Sequence, residues 1–336
     1  MNTCAVQRVV LEGLQSGRPV IWVGAVSFEQ RCLGSLQALA SAGFSLSSVL
    51  VVDYSTAVSP KTTALQKRKG HWAEMRRLFE RMGMPNQNWS SVKVHPYRLG
   101  AFRGEIQRLL ATDVFRRNHL CIIDMTCLTK AHTLALASWV TAAGGNRPDV
   151  LVAYTRSEQY GTPARHRNLS GKWLDTVLAP LELNPQMFME KADGIVLLGH
   201  EGARISMALT QSSPQRALVI LTTTTGMEHL QTVTRTANAR LLGEVERGER
   251  PGWSVQEVNV QDIGEVYNLA KAFVSRSVSD NRRVILYPFG PKPLVFATCL
   301  AALAVNPTAV WYCYPIPKSY DVDYTMGIGT TEWFSV

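Results

Sequence analysis

HLCIIDMTCLTKAHTLALASWVTAAG, residues 119–144, decides the fold. Leu120 to Ile123 is a short apolar run that ends at Asp124. Polar residues follow at Thr126, Thr129 and Lys130, and an apolar-periodic stretch without Pro or Gly comes next. A short apolar run closed by a turn reads as a strand buried on both faces, and the longer stretch behind it reads as a helix. In an open sheet of this kind, ligands settle where strand carboxyl ends meet helix amino ends, because loops and unpaired N–H groups gather there. Asp124, Thr126, Thr129 and Lys130 fall at that place.

The pattern extends in both directions. Upstream lie PVIWVGA (19–25), SVLVVDYS (48–55) and SVKVHPY (91–97), and downstream lies DVLVAYT (149–155). Helical stretches are expected between them at 29–42, 63–82, 100–117 and 130–143. Strands alternating with helices imply a parallel sheet covered on both faces. The second half then repeats the order: IVLLGHEG (195–202), ALVILTTTT (217–225), SVQEVNV (254–260), VILYPFGPKP (284–293) and AVWYCYPIP (309–317). Corresponding runs stand roughly 160 to 175 residues apart, a domain-sized period rather than a solenoid repeat.

The expected fold class is therefore α/β. It comprises two Rossmann-like domains, each a mainly parallel five- or six-stranded sheet with helices on both faces, related by internal duplication. The competing reading is two unrelated α/β halves. The first domain is expected over 1–158, a partly helical linker over 159–192 and the second domain over 193–336. Within the linker WLDTVLAPL is read as a helix, and residues 1–19 as a short amphipathic helix ended by Gly17 and Pro19. The C-terminal stretch after Pro317 is aromatic and glycine-bearing, which suits a docked tail.

The chain has 336 residues, enough for two ordinary cores. Its 35 Lys and Arg against 26 Asp and Glu leave a net charge of +9. That excess favours an anionic partner, although a generically basic surface has the same composition. Six cysteines are scattered without CxxC pairs or Cys/His spacing, so no metal and no cofactor are expected. Cys121, Cys299 and Cys313 lie inside apolar runs and read as core. Without a signal pattern or an apolar run of bilayer length, a cytoplasmic protein with no membrane contact is expected.

If both sheets are parallel, their carboxyl edges gather the candidate ligand-binding residues Ser27, Arg31, Arg98, Asp124, Thr126, Thr129, Lys130 and Arg156 in the first half. The second half offers Gly199, Gly202 and Lys292, the glycines because a ligand can approach their backbone closely. Lys130, Ser27 and His95 are the candidates for catalysis. Each has a plain alternative. Asp124 and Thr126 are suited to capping the helix that follows, and GHEG lacks the spacing of a dinucleotide fingerprint. Lys130 stands in a first turn, where the helix dipole disfavours a cation unless an anion is bound nearby. The densest basic patch, Lys61 to Arg81, reads either as a nucleic-acid contact or as a solvated helix face.

Asp124-Met-Thr126-Cys-Leu-Thr-Lys130 fits D-x-[ST]-x-x-x-[KR] after a fourth strand. In this it resembles CARF domains, the CRISPR-associated Rossmann-fold sensors of cyclic oligonucleotides. The resemblance implies ligand contacts by Asp124, Thr126 and Lys130, with Ser27 from the strand-one loop, and implies a paired site such as two fused copies or a homodimer would form. Tyr287-Pro-Phe-Gly290-Pro-Lys292 keeps the lysine and lacks the acidic and hydroxyl positions. No RxxxxH or ExK/DxK nuclease motif occurs.

Three functions follow as expectations. The first is a non-catalytic sensor or adaptor that binds a phosphate-bearing nucleotide ligand, such as a cyclic oligonucleotide, and signals to a partner effector, with antiviral defence as its setting. The second is a ring nuclease or nucleotide hydrolase acting on such a ligand. The third is a scaffold subunit contacting nucleic acid or protein.

Overall fold

The computed structural model describes residues 7–11, 17–54, 62–84, 89–94, 99–110, 119–142, 149–161, 173–180, 191–317 and 325–336. The chain divides into two compact units. One comprises 1–135, 142–161 and 322–336, and the other 136–141 and 162–321.

In the first unit the strands are β1 (Gln7–Val9), β2 (Val20–Val26), β3 (Leu46–Asp53), β4 (Trp89–Lys93), β5 (Leu120–Asp124) and β6 (Asp149–Thr155). Of these, β2 to β6 run parallel in the order β6-β5-β2-β3-β4. Every residue of β2 and β5 is buried, as expected for central strands of a two-sided sheet. The helices of this part of the chain are α1 (Gly34–Ser41), α2 (Thr62–Arg81), α3 (Gly100–Leu110) and α4 (Lys130–Ala142), of which residues 136–141 belong to the other unit. Trp22 on β2 is fully buried, lies 6.0 Å from the Phe79 ring of α2 and donates Nε1–H to Ser35 Oγ of α1 at 3.1 Å. Its ring lies over Gly24, where any Cβ would overlap the indole. A glycine in mid-strand is thus the room the Trp22 ring needs.

The second sheet repeats the order. Its strands are β8 (Trp173–Pro180), β9 (Ala192–Leu197), β10 (Arg216–Thr223), β11 (Trp253–Asn259), β12 (Arg283–Pro288) and β13 (Val310–Pro317). The five from β9 to β13 are parallel and ordered β13-β12-β9-β10-β11. Among the described residues the helices that accompany them are α5 (Gly202–Ser212), α6 (Glu228–Ala237), α7 (Ala239–Glu246), α8 (Ile263–Ser279) and α9 (Lys292–Val305). At the amino edge, fully buried Asp193 accepts from Arg216 Nε at 2.9 Å, Arg282 Nη1 at 3.2 Å and Ser277 Oγ at 2.8 Å. Two cations and a hydroxyl satisfy the acid that burial would otherwise penalise.

In each unit the parallel strands start in the middle, with two built to one side and then two to the other. The reversal falls between β2 and β5 in the first unit and between β9 and β12 in the second. At such a switch point adjacent loops lead away from each other and leave a crevice above the carboxyl ends. The fold class is α/β, with two Rossmann-like sheets that have seven and six strands among the described residues.

Three expectations are corrected. Trp173–Pro180, read as a helix, is strand β8, antiparallel to β13. The open edge of β13 supplies a full ladder of partners, which local helical pattern cannot match. Gln7–Val9, within the expected N-terminal helix, is a strand on β15 (Thr331–Ser335). β15 in turn is antiparallel to β6, so the tail assigned by sequence to the second domain completes the first sheet. A further ribbon pairs β7 (Gln159–Tyr160) with β14 (Thr325–Met326). Among the described residues no helix is long and apolar enough to cross a membrane, and no group of three His, Cys, Asp or Glu could hold a metal ion.

Candidate functional site

The first switch point is built by two loops. From β2 come Ser27 to Glu29 and a 3-10 turn, Gln30–Leu33. From β5 come Asp124 to Thr129, and α4 starts at Lys130. Asp124 is 2% exposed and Thr126 fully buried. Asp124 Oδ1 accepts from the Thr126 backbone N–H at 2.8 Å, and Oδ2 accepts from the Ser35 hydroxyl. Thr126 Oγ1 accepts from the Thr155 backbone N–H at 2.9 Å. These two side chains therefore tie the β5–α4 loop to α1 and β6 inside the protein. A structural role accounts for both, where the sequence reading gave them to a ligand.

Thr129 caps α4. Its Oγ1 lies 2.7 Å from His132 Nδ1 and accepts from the His132 backbone N–H at 3.4 Å, as a threonine before a helix does. The Thr129 backbone N–H donates to the Tyr54 hydroxyl at 3.0 Å. His132 is fully buried, edge-on to Tyr54 at 5.2 Å and to Phe102 at 4.5 Å. Burial pushes the Tyr54 hydroxyl well above its ordinary pKa, so it stays a neutral hydrogen-bonding group at the helix end. Lys130 is half-buried at the first position of the helix.

Ser27 Oγ accepts from the Glu29 backbone N–H at 3.2 Å. Its carbonyl oxygen lies 2.9 Å from His71 Nδ1. Arg68, one turn earlier on α2, pairs with Asp53 at the end of β3. Sequence reading placed Arg68 and His71 in a basic patch and missed their place at the edge. Their three-residue spacing on a helix that follows β3 is the signal that could have found them.

Two other expected cations are already balanced. Arg156 makes two hydrogen bonds to the buried Glu332 carboxylate of β15, at 3.1 and 2.8 Å. Arg31 is paired with Glu29 at 2.6 Å, reaches the Tyr154 hydroxyl at 3.4 Å and lies 5.9 Å from that ring's centre. Burial opposes the Arg31 charge most strongly, yet Glu29 together with Tyr154, Cys127 and Tyr160 more than offsets it and the guanidinium pKa stands above its ordinary value. Thr325 Oγ1 donates to the same Glu29 oxygen at 2.7 Å, so β14 reaches this pair. Arg98 and His95 lie outside the described residues.

The second unit contains a counterpart that no motif announced. Arg204 is 3% exposed, pairs with Glu201 of the β9–α5 loop and donates to the Tyr314 hydroxyl at 2.7 Å and the Pro315 carbonyl at 2.9 Å. Its guanidinium lies 4.8 Å from the Tyr314 ring centre. Glutamate and arginine leave the first parallel strand, and tyrosine lies on the fifth, in both units. Gly199 and Gly202 have a different reason from the one expected. A Cβ at Gly199 would overlap the Phe289 carbonyl oxygen, and one at Gly202 the Ala237 carbonyl oxygen. Close backbone packing accounts for both glycines. Lys292 is the first residue of α9 and is half-buried, the position that Lys130 holds on α4.

The structure thus places Ser27, Thr129 and Lys130 on the two loops of one switch point and Lys292 at the other, while Asp124, Thr126, Arg31 and Arg156 serve the fold around them. No protein-family model matches the chain, and no curated protein matches it. Among solved structures, a type III CRISPR defence DNA nuclease activated by cyclic oligoadenylate is similar, with 9% identity and a TM-score of 0.49. The similarity covers 87% of this chain and 65% of that one. A likeness this distant carries nothing about activity or ligand.

Proposed function

We propose that the chain is a non-catalytic sensor that binds a phosphate-bearing nucleotide ligand at the carboxyl edge of its sheets and signals to a partner effector. One observation carries the reading. In each unit the helix after the fourth parallel strand, beside the switch point, begins with a lysine: Lys130 on α4 and Lys292 on α9. The amino end of a helix repels a cation and attracts an anion. A lysine there is best accommodated by a bound anion shared between the ammonium and the helix N–H groups.

The duplication belongs to the same proposal. Identical strand order and the recurrence of Glu29–Arg31–Tyr154 as Glu201–Arg204–Tyr314 support two diverged copies of one ancestral domain. The D-x-[ST]-x-x-x-[KR] match at Asp124 to Lys130 supports a cyclic oligonucleotide as the nucleotide and antiviral defence as the setting. Asp124 and Thr126 hold internal hydrogen bonds, and in this reading the ligand is met by Lys130, with Thr129 and Ser27 beside it at the same edge. Titrating the protein with cyclic oligonucleotides and linear nucleotides, with product analysis by chromatography, tests this. Saturable binding without turnover is expected, whereas turnover abolished in Lys130→Ala identifies an enzyme instead.

A further inference from the structure

Two thiols lie on the two loops of the first switch point. Cys32 lies in the 3-10 turn after β2, 1% exposed, with Sγ 3.9 Å from the Ser27 carbonyl oxygen. Cys127 lies in the β5–α4 loop, half-buried, and packs against the apolar cluster that contains Cys32. Cys127 is among the groups that raise the Cys32 thiol, and both are free thiols. Parallel pairing of β2 with β5, Val23 opposite Ile123, sends both loops off the same edge side by side. We infer that Cys32 and Cys127 form a reversible disulfide across this edge when the protein meets a peroxide. The inference stands apart from the ligand reading, since it needs only the two sulfurs and an oxidant.

Exposure sets the order of events. Cys127, reachable from solvent, attacks the peroxide as thiolate. A sulfur–oxygen bond forms, the O–O bond breaks, and the peroxide leaves as water or an alcohol, giving a sulfenic acid. The Cys32 sulfur then attacks the Cys127 sulfur. The S–S bond forms, the S–O bond breaks, and the departing hydroxide takes up the Cys32 proton as water. Two thiols are oxidised by two electrons and one peroxide is reduced. Burial pushes the Cys32 thiol up, which suits a resolving sulfur that waits for its partner. The bond would join the turn after β2 to the loop that ends, three residues past Cys127, at Lys130.

Reduced full-length protein is treated with hydrogen peroxide, alkylated with N-ethylmaleimide under denaturing conditions and mapped by mass spectrometry without reduction. A linked peptide pair containing Cys32 and Cys127 is expected, cleaved by dithiothreitol and absent from Cys127→Ser. In Cys32→Ser the sulfenic acid on Cys127, trapped with dimedone, should accumulate several-fold over wild type. Oxidation of Cys127 to sulfinic acid with Cys32 still alkylatable, or links between chains alone, would overturn the inference. So would equal trapping in wild type and Cys32→Ser.

Discussion

Arg204 lies over the ring of Tyr314, its guanidinium 4.8 Å from the ring centre and its Nη2 2.7 Å from the hydroxyl. With Glu201 on its other side the charge is held where water barely reaches. Replacing Arg204 by Met leaves a part-buried carboxylate without its partner, so a loss of about 3–5 kcal/mol is expected in urea unfolding. Tyr314→Phe removes one hydrogen bond and keeps the ring, for about 1 kcal/mol. Equal losses from the two variants would show that the arginine contributes little.

Gly202 and Gly43 separate backbone packing from backbone strain. Gly202→Ala drives a methyl into the Ala237 carbonyl oxygen, and a loss of about 3 kcal/mol is expected. Gly43 has φ +75° with open space around it, so Gly43→Ala should lose only about 1 kcal/mol, the strain of the left-handed conformation. Thermal melts of both variants order the two effects. If they lose stability equally, the backbone contact at Gly202 is softer than its geometry requires.

How far the sequence could be read depends on the range of the interaction. Strands β2, β5, β9 and β12 were legible because burial on both faces writes an apolar run directly into the chain. Trp173–Pro180 was misread because its strand character comes from β13, far along the chain. Asp124 and Thr126 look like ligand residues until Ser35, 89 residues away, and Thr155, 29 residues away, are seen to occupy them. The repeated Glu–Arg–Tyr arrangement was invisible for the same reason. Its tyrosines stand 123 and 110 residues from their arginines, and no local spacing records that.

Alkaline pH should weaken the second unit. Burial pushes the Cys313 thiol from its ordinary value near 9 up to about 11. Between these values the unfolded chain has released a proton that the folded chain still holds, so stability falls as pH rises through that window. Tyr287, likewise raised by burial, acts with the same sign at higher pH. Denaturation midpoints from pH 8 upward should decline, and Cys313→Ala should flatten the first part of the decline. An unchanged slope in that variant would remove Cys313 from the account.

Asp124 and Lys130 stand at the same edge and should separate cleanly. Asp124→Asn cannot accept equally at both positions, so the Ser35 or the Thr126 bond is weakened, for a loss of about 1–2 kcal/mol. Lys130→Ala, at a half-buried first helical position, should change stability by under about 1 kcal/mol. Urea titrations of the two variants side by side check the contrast. A Lys130 variant that unfolds as readily as the Asp124 variant would make the lysine structural.

The most direct measurement is equilibrium binding of cyclic oligonucleotides and nucleotides to wild type and Lys130→Ala, preceded by mass spectrometry of small molecules released from freshly purified protein. The account predicts a phosphate-bearing compound that binds saturably and loses affinity about ten- to a hundredfold without Lys130, the worth of one charge-assisted hydrogen bond. Binding that is indifferent to the substitution, or no phosphate-bearing compound bound at all, would contradict it.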